Sequence, residues 1–449
     1  MAQTPLTTRQ VRDVDISKIL ITSNKKDRKV DIVDLISDVY YWESILQETV
    51  RASIIYTDTG SSVDTGGGKY KSVIEGLPLY GQENTSLVMK DSNGVEINLT
   101  LYVNNVKKVA QQVNKSLVTL DLGSKEFIMN EKVRINRRFD GKISDHIKKI
   151  LTDSKFLNSK KKLDISPTAN SYNFIGNNYK PLYTLLWLSK KAVPEGIVPG
   201  NSAGFFFWET SKGFNFKAID ELLSIEGKTC KNFTYTQSPD SETLPGFSHI
   251  LKYDPQDVAG DQQQKAQIGT DATRIILINP VDLYYEVVNI KSSETTSNVK
   301  KAGLDFPVQN PEFNVPGTNK DFSRTQFIVL DSGTLPSGTT DQQISKSKDI
   351  NFDPKNILNQ STMRYNQMFT VRHSITIVAD FSLHAGDSVY IRTPENSNRK
   401  EKDSNEVFDG YYVIADLCHY ISKQSGAYTR LLLVRDSMGK KGSPTYKAI

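Results

Sequence analysis

Residues 86–103 read SLVMKDSNGVEINLTLYV, and this stretch decides the fold. Residues 86–89 form an apolar run of strand length, and residues 95–103 alternate apolar and polar side chains at period two. The intervening Asp-Ser-Asn-Gly at 91–94 is a turn sequence, because Asn-Gly between two such runs favours a tight hairpin connection. The stretch therefore predicts an antiparallel hairpin with one face turned towards a core.

More strands precede and follow this hairpin. Residues 39–46 are rich in aromatic and β-branched side chains, residues 50–56 alternate before the turn Asp58-Thr59-Gly60, and residues 116–122 give a further strand. Five or six strands within roughly 110 residues, joined by polar turns, predict a small antiparallel barrel or sandwich.

The middle of the chain changes to a helical period. Apolar residues at helical spacing follow Ser144, a candidate N-cap, and Pro181 suits the first position of a second helix. The apolar run at 204–209 and the aromatic residues at 214–216 predict a hairpin beside these helices. We therefore expect this part to be α+β.

Two long stretches, 236–270 and 292–352, are dominated by Ser, Thr, Gln, Asn, Pro and Gly. They are too polar to hold a core unaided, so we expect them to become ordered against a partner. Strands are predicted between them, and a helix at 356–368 precedes a second group of strands. The predicted strands are 273–278, 283–290, 374–381, 388–392, 411–415 and 428–434.

The second group of strands resembles the first in sequence. Leu79-Tyr80-Gly81-Gln82-Glu83 corresponds to Leu383-His384-Ala385-Gly386-Asp387, each directly ahead of a strand. An ungapped match also aligns Tyr102-Val103 with Tyr412-Val413. These matches predict an internal duplication, although their identities are few and two unrelated β domains remain the alternative.

Composition excludes several classes of protein. The 449 residues are 37% hydrophobic, with a mean hydropathy of −0.43, and no stretch approaches the roughly 20 apolar residues of a membrane helix. The N-terminal segment has no apolar region, so no secretory signal is expected. Cys230 and Cys418 are the only cysteines, which rules out a disulfide framework and favours folding in a reducing cytoplasm.

Positive charge is concentrated in one segment. The net charge is +5, and residues 130–162 carry eleven Lys or Arg against four Asp or Glu. This segment is either a solvated basic face or a surface for an acidic partner. The second hypothesis predicts that reversing Lys160, Lys161 and Lys162 to Glu weakens assembly, most strongly at low salt.

No pattern of metal ligation, cofactor binding or catalysis stands out. The Gly-rich residues 64–70 lack the first Gly and the final Ser or Thr of a phosphate-binding loop. The histidines are scattered and form no zinc-binding pattern: His146, His249, His373, His384 and His419. We therefore predict no catalytic, cofactor-binding or metal-ligating residues, no cofactor and no enzymatic activity.

One catalytic alternative rests on Asp58. Asp58-Thr59-Gly60 resembles the active-site turn of pepsin-like aspartic peptidases, and the triplet recurs at 64–66. That chemistry needs two carboxylates sharing one proton, which two triplets in one loop cannot supply, although a dimer can pair Asp58 with its copy. Asp-Thr-Gly is also ordinary turn chemistry, in which Asp bonds to its own backbone and Gly takes a positive φ.

The order of several motifs resembles the central hub proteins of contractile-tailed bacteriophage baseplates, the T4-like hub family related to the base domains of injection-system spikes. YYWESI at 40–45, ASIIYTDTG at 52–60 and GLPLYGQE at 76–83 follow the order of that family's first tube domain. Further matches run through the middle and the end of the chain, and residues 292–352 do not match. The further matches are 133–151, 183–190, 205–216, 383–387, 410–414, His419 and 431–436.

The resemblance implies a mainly β fold with α+β insertions and two similar small antiparallel β-barrel domains of the tube type. The expected first tube domain is 1–128, and the expected α+β middle domain is 129–228. The expected second tube domain combines 229–300 with 356–449, and 301–355 is a polar insertion.

The resemblance also implies a structural role in the virion tail, with assembly in the host cytoplasm as a late protein. Three copies would form a pseudo-six-fold ring that joins the tail tube to the central spike and leaves a channel. The implied partners are two further copies, the central spike protein, tail tube or tube-initiator proteins, the tape measure protein and baseplate wedge proteins, with DNA only in transit and no membrane.

Within this hypothesis, ring contacts are expected at the edges of the strands at 50–56, 97–103, 374–381 and 428–434. The base of a type VI-like injection-system spike is an alternative. Such spikes usually continue into further domains, whereas this sequence ends soon after Asp436. The dimeric aspartic-type peptidase using Asp58 is the alternative from a different class.

Overall fold

The structure is a computed structural model. It describes residues 14–112, 114–196, 202–225, 228–235, 248–257, 260–280, 283–291, 299–307, 310–313, 322–330, 338–347, 351, 353–354, 357–393 and 407–440.

The first β module, module 1, spans residues 14–123. Its strands are β1 Asp15–Thr22, β2 Lys29–Asp31, β3 Ile36–Ser44, β4 Arg51–Asp58, β5 Val63–Asp64, β6 Tyr70–Lys71, β7 Asn84–Lys90, β8 Glu96–Gln111 and β9 Ser116–Gly123. A 3-10 turn, Val33–Leu35, and a short helix, α1 (Val73–Gly76), interrupt them.

The middle part is α+β, as predicted. Its helices are α2 Lys125–Lys132, α3 Ile143–Thr152, α4 Pro181–Ser189 and α5 Ile219–Leu223, and its strands are β10 Arg138–Phe139, β11 Leu163–Ile165, β12 Phe174–Ile175, β13 Phe205–Thr210 and β14 Gly213–Ala218.

The remaining elements complete the chain. They are β15 Lys231–Thr234, β16 Ile250–Asp257, α6 Gln262–Ile268, β17 Ala272–Asn279, β18 Tyr284–Lys291, the 3-10 turn Pro311–Phe313, β19 Arg324–Val329, α7 Thr340–Ser347, α8 Ile357–Met368, β20 Val371–Val378, β21 Ser388–Arg392, β22 Gly410–Ser422 and β23 Gly426–Arg435. We call β15, β16 and β20–β23 module 2.

The hairpin predicted from residues 86–103 is confirmed as β7 and β8. Leu87, Met89 and Ile97 are buried, while their polar neighbours face outwards. Asp91 Oδ1 accepts hydrogen bonds from the backbone N–H groups of Asn93 (3.0 Å) and Val95 (2.8 Å), so the turn is held by its own aspartate.

A single 13-stranded sheet contains both modules. Its order is β16-β20-β23-β22-β3-β4-β9-β8-β7-β1-β2, with β21 beside β22 and β15 beside β21. β22 pairs antiparallel with β3, so the modules are joined edge to edge. The mainly β prediction is confirmed, but no strand pair in the described ranges closes either module into a barrel.

The edges of the strands expected to carry ring contacts are already occupied within the chain. Residues 50–56 lie in β4, 97–103 in β8, 374–381 largely in β20 and 428–434 in β23. β4, β20 and β23 each have a strand on both sides, and β7 and β9 flank β8 over residues 97–102. That expectation was wrong, because these strands are interior strands of their own modules, and their neighbours depend on the tertiary fold.

The two modules have the same strand order. β3-β4-β9-β8-β7 in module 1 corresponds to β16-β20-β23-β22-β21 in module 2. A bulge interrupts β8 against β9 between Val103 and Asn105, and another interrupts β22 against β23 between Ile414 and Asp416. Val103 therefore matches Ile414, one residue away from the ungapped alignment, which assigned it to Val413.

The turns ahead of β7 and β21 are also equivalent, as the sequence match predicted. Gln82 N–H donates to Val103 O (2.6 Å), and Gly386 N–H donates to Ile414 O (2.8 Å). Both donors have a positive φ, 70° for Gln82 and 91° for Gly386. Shared order, bulges and turns establish that the chain contains two similar β modules.

Each module has a core, and module 2 helps to fill that of module 1. The core of module 1 includes Tyr41, Ile54 and Leu120, together with Phe381 and Ile421 from module 2. A separate core in module 2 includes Ile375, Tyr412 and Leu431. Because apolar burial is the main favourable term in folding, module 1 depends on module 2 for stability.

The start of α3 differs from the prediction. The N-cap is Lys142 rather than Ser144, and its side chain makes no capping bond. The hydroxyl of Thr168 instead accepts a hydrogen bond from Ser144 N–H at 3.0 Å. A residue distant in sequence therefore satisfies a free N–H of the first turn, whereas Pro181 begins α4 as predicted.

A small separate sheet lies partly within the stretch expected to be merely polar. β17 and β18 occur where predicted, and β19 pairs parallel with β17. β19 lies inside residues 292–352, which the sequence did not identify as containing a strand. The helix predicted at 356–368 is confirmed as α8, and the domain boundaries stay a prediction.

Candidate functional site

The junction of the two modules is a full β ladder. Its register runs from Asp416 opposite Ser44 to Ser422 opposite Asp38. Backbone hydrogen bonds prolong it at both ends, from Ile45 N–H to Ala415 O (2.9 Å) and from Lys423 N–H to Ser37 O (3.1 Å). The sheet therefore passes from one module to the other without interruption.

Aromatic rings reinforce the outer face of this ladder. Tyr40 stacks on Trp42 with ring centroids 5.5 Å apart and contacts Tyr420 across the junction at 4.8 Å. The hydroxyl of Tyr420 donates to Asp38 Oδ1 at 2.8 Å. Cross-strand aromatic pairs of this kind each stabilise a sheet by roughly 0.2–1 kcal/mol.

Glu43 is the polar centre of the junction. Its carboxylate is buried and accepts hydrogen bonds from Tyr41 Oη (2.8 Å), Ser211 N–H (2.7 Å) and Ala385 N–H (3.1 Å). His384 Nδ1 lies 3.3 Å from both oxygens. One side chain thus connects module 1, the β13–β14 turn and module 2.

Electrostatics keeps Glu43 ionised. Burial opposes the charge, but the hydrogen bond and electrostatic interaction with His384 lower the pKa of Glu43 below its ordinary value, with help from Ser211 and Tyr41. The sequence contained a signal for this residue: period two places Glu43 on the same face as Val39 and Tyr41, which is the core face.

His419 is buried beside this site. Its ring stacks on Tyr41 with centroids 6.1 Å apart, and Nδ1 is 2.8 Å from Thr429 Oγ1. Burial lowers the pKa of His419 to about 4. Because the unfolded pKa is near 6.5, only the unfolded chain gains this proton between pH 6.5 and 4.

The contribution of His419 to the stability of the protein should therefore fall as the pH drops from 6.5 towards 4. The loss from His419 is at most roughly 3 kcal/mol, since one pKa unit corresponds to about 1.36 kcal/mol. We expect His419→Gln to flatten the profile of unfolding free energy against pH. The control His249→Gln, at a partly buried site, should change this profile less. Parallel profiles for wild type and His419→Gln would contradict the role of His419 in the pH dependence.

A groove of about 650 Å³ crosses the outer face of the sheet at the junction. Trp42, Arg51 and Asp121 line it from module 1, and Cys418 and Arg430 line it from module 2. The guanidinium of Arg51 lies 5.1 Å from the ring centroid of Phe127. The lining carries both signs of charge, so the groove favours no single class of charged ligand.

Lys161 is not available to an acidic partner, contrary to the hypothesis for residues 130–162. Its Nζ lies 2.6 Å from Glu126 Oε2 and 2.5 Å from Glu209 Oε1, and both carboxylates are 2% exposed. Glu209 Oε2 also accepts a hydrogen bond from Val50 N–H at 3.2 Å. Reversing Lys161 would therefore disrupt folding, and a test of the basic surface must use the exposed Lys160 and Lys162.

Asp58 has the role of a turn residue. Its side chain is 2% exposed and accepts hydrogen bonds from Gly60 N–H (3.0 Å), Ser62 Oγ (3.4 Å) and Val73 N–H (2.7 Å). Gly60 has φ 76°, as the turn interpretation predicts. The carboxylate that the peptidase alternative requires is thus buried and already bonded.

Asp58→Ala should lower the free energy of unfolding by about 1–3 kcal/mol, because it leaves the buried N–H of Val73 without its acceptor. The matched control is Asp64→Ala in the second Asp-Thr-Gly, where the exposed carboxylate accepts only a bond from Gly66 N–H (2.8 Å). Chemical denaturation of both variants checks the difference. Equal losses would contradict the structural role of Asp58.

The histidines do not converge. His373 contacts Tyr253 and Tyr412, whereas His384 contacts Glu43. Within the described ranges, no three His, Cys, Asp or Glu side chains are arranged to hold a metal ion. None of the helices in those ranges has the length and apolar character needed to cross a membrane.

Comparison with known proteins shows likeness in structure alone. A tail protein from Neisseria meningitidis MC58 aligns with 93% of this chain and 96% of its own, at a TM-score of 0.54 and 9% identity. The 43 kDa tail protein of prophage MuSo2 from Shewanella oneidensis aligns with 94% of this chain and 98% of its own, at a TM-score of 0.51 and 10% identity. No family model and no curated protein sequence matches.

This chain thus shares its overall fold with these two tail proteins. A component of the type VI secretion system of E. coli aligns less closely, with a TM-score of 0.42 over 97% of this chain. The alignments with the two tail proteins extend over nearly the whole length of all three chains.

Proposed function

We propose that this chain is a hub subunit of a phage tail baseplate, three copies of which close into a ring of six modules. The observation that carries the proposal is the pairing of β22 with β3. It joins two modules of equal strand order in one sheet, so each chain brings two similar units to a ring.

The position of the α+β part explains how such a ring would match two symmetries. The modules occur twice per chain, but the elements from α3 to α5 follow module 1 only. Three copies would therefore present six similar modules to a tail tube and three α+β parts to a trimeric spike. The open centre would serve as a channel for the tape measure protein and for DNA in transit.

We propose further that the role is structural rather than catalytic. The partners implied are the central spike, the tail tube or its initiator, the tape measure protein and wedge proteins. Assembly in the host cytoplasm and residence in the virion tail belong to the same proposal. The buried and fully bonded carboxylate of Asp58 supports it against the dimeric peptidase.

Negative-stain imaging and mass measurement of the purified chain test this proposal. We expect three-fold rings with an open centre and the mass of three 50.4 kDa chains. Two-fold particles, or a chain that stays monomeric at high concentration and with the spike protein present, would overturn it.

A further inference from the structure

The second half of β8 has an unpaired edge. β7 pairs with β8 only from Glu96 to Tyr102, whereas β9 follows β8 on its other side as far as Gln111. In the described part of the chain, no strand lies beside residues 104–111 on the β7 side. These residues are largely exposed, and Val109 retains 62% of its surface.

The corresponding edge of β22 is filled from within the chain. β21 pairs with Gly410 to Val413, and β3 then pairs with Asp416 to Ser422. β22 is the counterpart of β8, and the bulges of the two strands coincide. In module 1, therefore, no strand of the described ranges occupies the place that β3 takes in module 2.

β16 is the counterpart of β3, and its outer edge is unpaired too. It ends the sheet, with β20 on one side and no described strand on the other. A bulge between Ile36 and Asp38 in β3 has its equivalent between Ile250 and Lys252 in β16. Among the described residues, the chain thus has a strand equivalent to β3, which is β16, and an unpaired edge equivalent to the one that β3 occupies, which is the second half of β8. The two lie at different places in the sheet.

We propose that β16 of a second copy of this chain pairs antiparallel with residues 105–111 of β8. The pairing of β3 with β22 inside one chain is its template. The inference rests on the proposed function, since it names the contact by which copies follow one another around the ring. Because the two edges differ, the interface is head-to-tail, and repetition gives a closed ring or a filament.

The template also gives a register. Val103 of module 1 is the structural counterpart of Ile414 of module 2. Val39, which pairs with Ile54, is likewise the counterpart of Tyr253, which pairs with Ile375. A bulge in β16 follows Pro255, so Trp42, which pairs with Arg51, matches Asp257, which pairs with Arg372. Cys418 opposite Trp42 then becomes Lys107 of one copy opposite Asp257 of the next.

The free edges carry features that limit unspecific pairing. Lys107 and Lys108 place charges on the open half of β8, and Pro255 in β16 lacks an N–H. Charged side chains and proline are the usual protection of exposed strand edges. Lys107 also bonds to Asp121 at 2.8 Å on the adjacent strand, which leaves the backbone edge accessible.

Cysteine crosslinking tests both contact and register. In every variant Cys230 and Cys418 are replaced by Ser. A Lys107→Cys chain is mixed with an Asp257→Cys chain, or with a Lys252→Cys chain as control, and oxidised with glutathione disulfide. Opposed residues lie about 5 Å apart, within disulfide range, whereas Lys252 is displaced by roughly 13 Å along the strand.

We expect the Asp257→Cys mixture to give about tenfold more crosslinked dimer than the control, because a disulfide does not span the displaced pair. Equal crosslinking of both mixtures would overturn the pairing as random edge contact. Rings without the expected crosslink would overturn this pairing but leave the proposed function standing. Monomers without any crosslink, even with the spike protein present, would overturn both.

Discussion

Replacing Lys161 with methionine should lower the free energy of unfolding by about 3–5 kcal/mol, as expected when one partner of a buried charge group is removed. Lys161 is 30% exposed, but Glu126 and Glu209 are each 2% exposed and depend on it for neutralisation. Without the ammonium group, two carboxylates would remain close together in a buried place. The three residues connect α2, β13 and the loop after α3 within the α+β part. Glu209 also accepts a hydrogen bond from Val50 N–H of module 1, so their loss would loosen the α+β part from the sheet.

The loss of unfolding free energy in Lys161→Met should be larger at high pH than at low pH. Burial raises the pKa of Glu209 to about 7, above its ordinary 4.5. Between pH 4.5 and 7 the folded chain therefore holds a proton that the unfolded chain has lost. The stability that Glu209 contributes declines as the pH rises through 7. Without Lys161 the decline should extend to higher pH, so the deficit of Lys161→Met should be smaller at pH 5 than at pH 8.

Lys160→Met and Lys162→Met are the matched controls. Both lysines are neighbours in sequence and exposed, and surface changes of this kind usually stay within about 0.5 kcal/mol. Denaturant unfolding of the three variants at pH 5 and pH 8 measures the effect. If the controls lose as much stability as Lys161→Met, the buried charge cluster does not explain the loss.

Glu43→Ala should destabilise the protein by about 3 kcal/mol or more, since each buried donor left without an acceptor costs roughly 1–3 kcal/mol. Tyr41 Oη, Ser211 N–H and Ala385 N–H would all lose their acceptor. Glu43→Gln keeps the shape and one acceptor oxygen, so its loss should be smaller.

The effect should be local to the module junction. In hydrogen exchange, amides of residues 416–422 should lose protection in Glu43→Ala before those of β8 and β9, because the junction opens first. Glu96→Ala, at an exposed glutamate in β8, is the control and should change neither quantity. Uniform loss of protection over the sheet would contradict a local role for Glu43.

The sequence predicted the elements whose signals are local. The hairpin at 86–103, the start of α4 at Pro181 and the turn around Asp58 all depend on neighbouring residues, and all are confirmed. β19 was missed because its partner β17 lies far away in the chain, and the cap of α3 was misplaced because Thr168 supplies it from a distance.

The candidate site was less accessible to sequence reasoning for the same physical reason. Lys161 belongs to a visibly basic segment, but its acidic partners, Glu126 and Glu209, are 35 and 48 residues away. Glu43 was visible as a core-facing position, whereas its bonds to Ser211 and Ala385 depend on the tertiary fold. Conversely, the duplication was detectable because two turns kept the same local pattern.

The junction also has a consequence for the timing of folding. β3 and β22 are far apart in sequence, since the bonded residues Asp38 and Tyr420 are 382 positions apart. Their pairing therefore closes a very long loop, and such long-range contacts form slowly. Phe381 and Ile421 in the core of module 1 likewise arrive late in synthesis. A nascent or truncated chain therefore lacks the strand that completes its first half. β22 must therefore be synthesised before β3 gains its partner strand and the core of module 1 is complete.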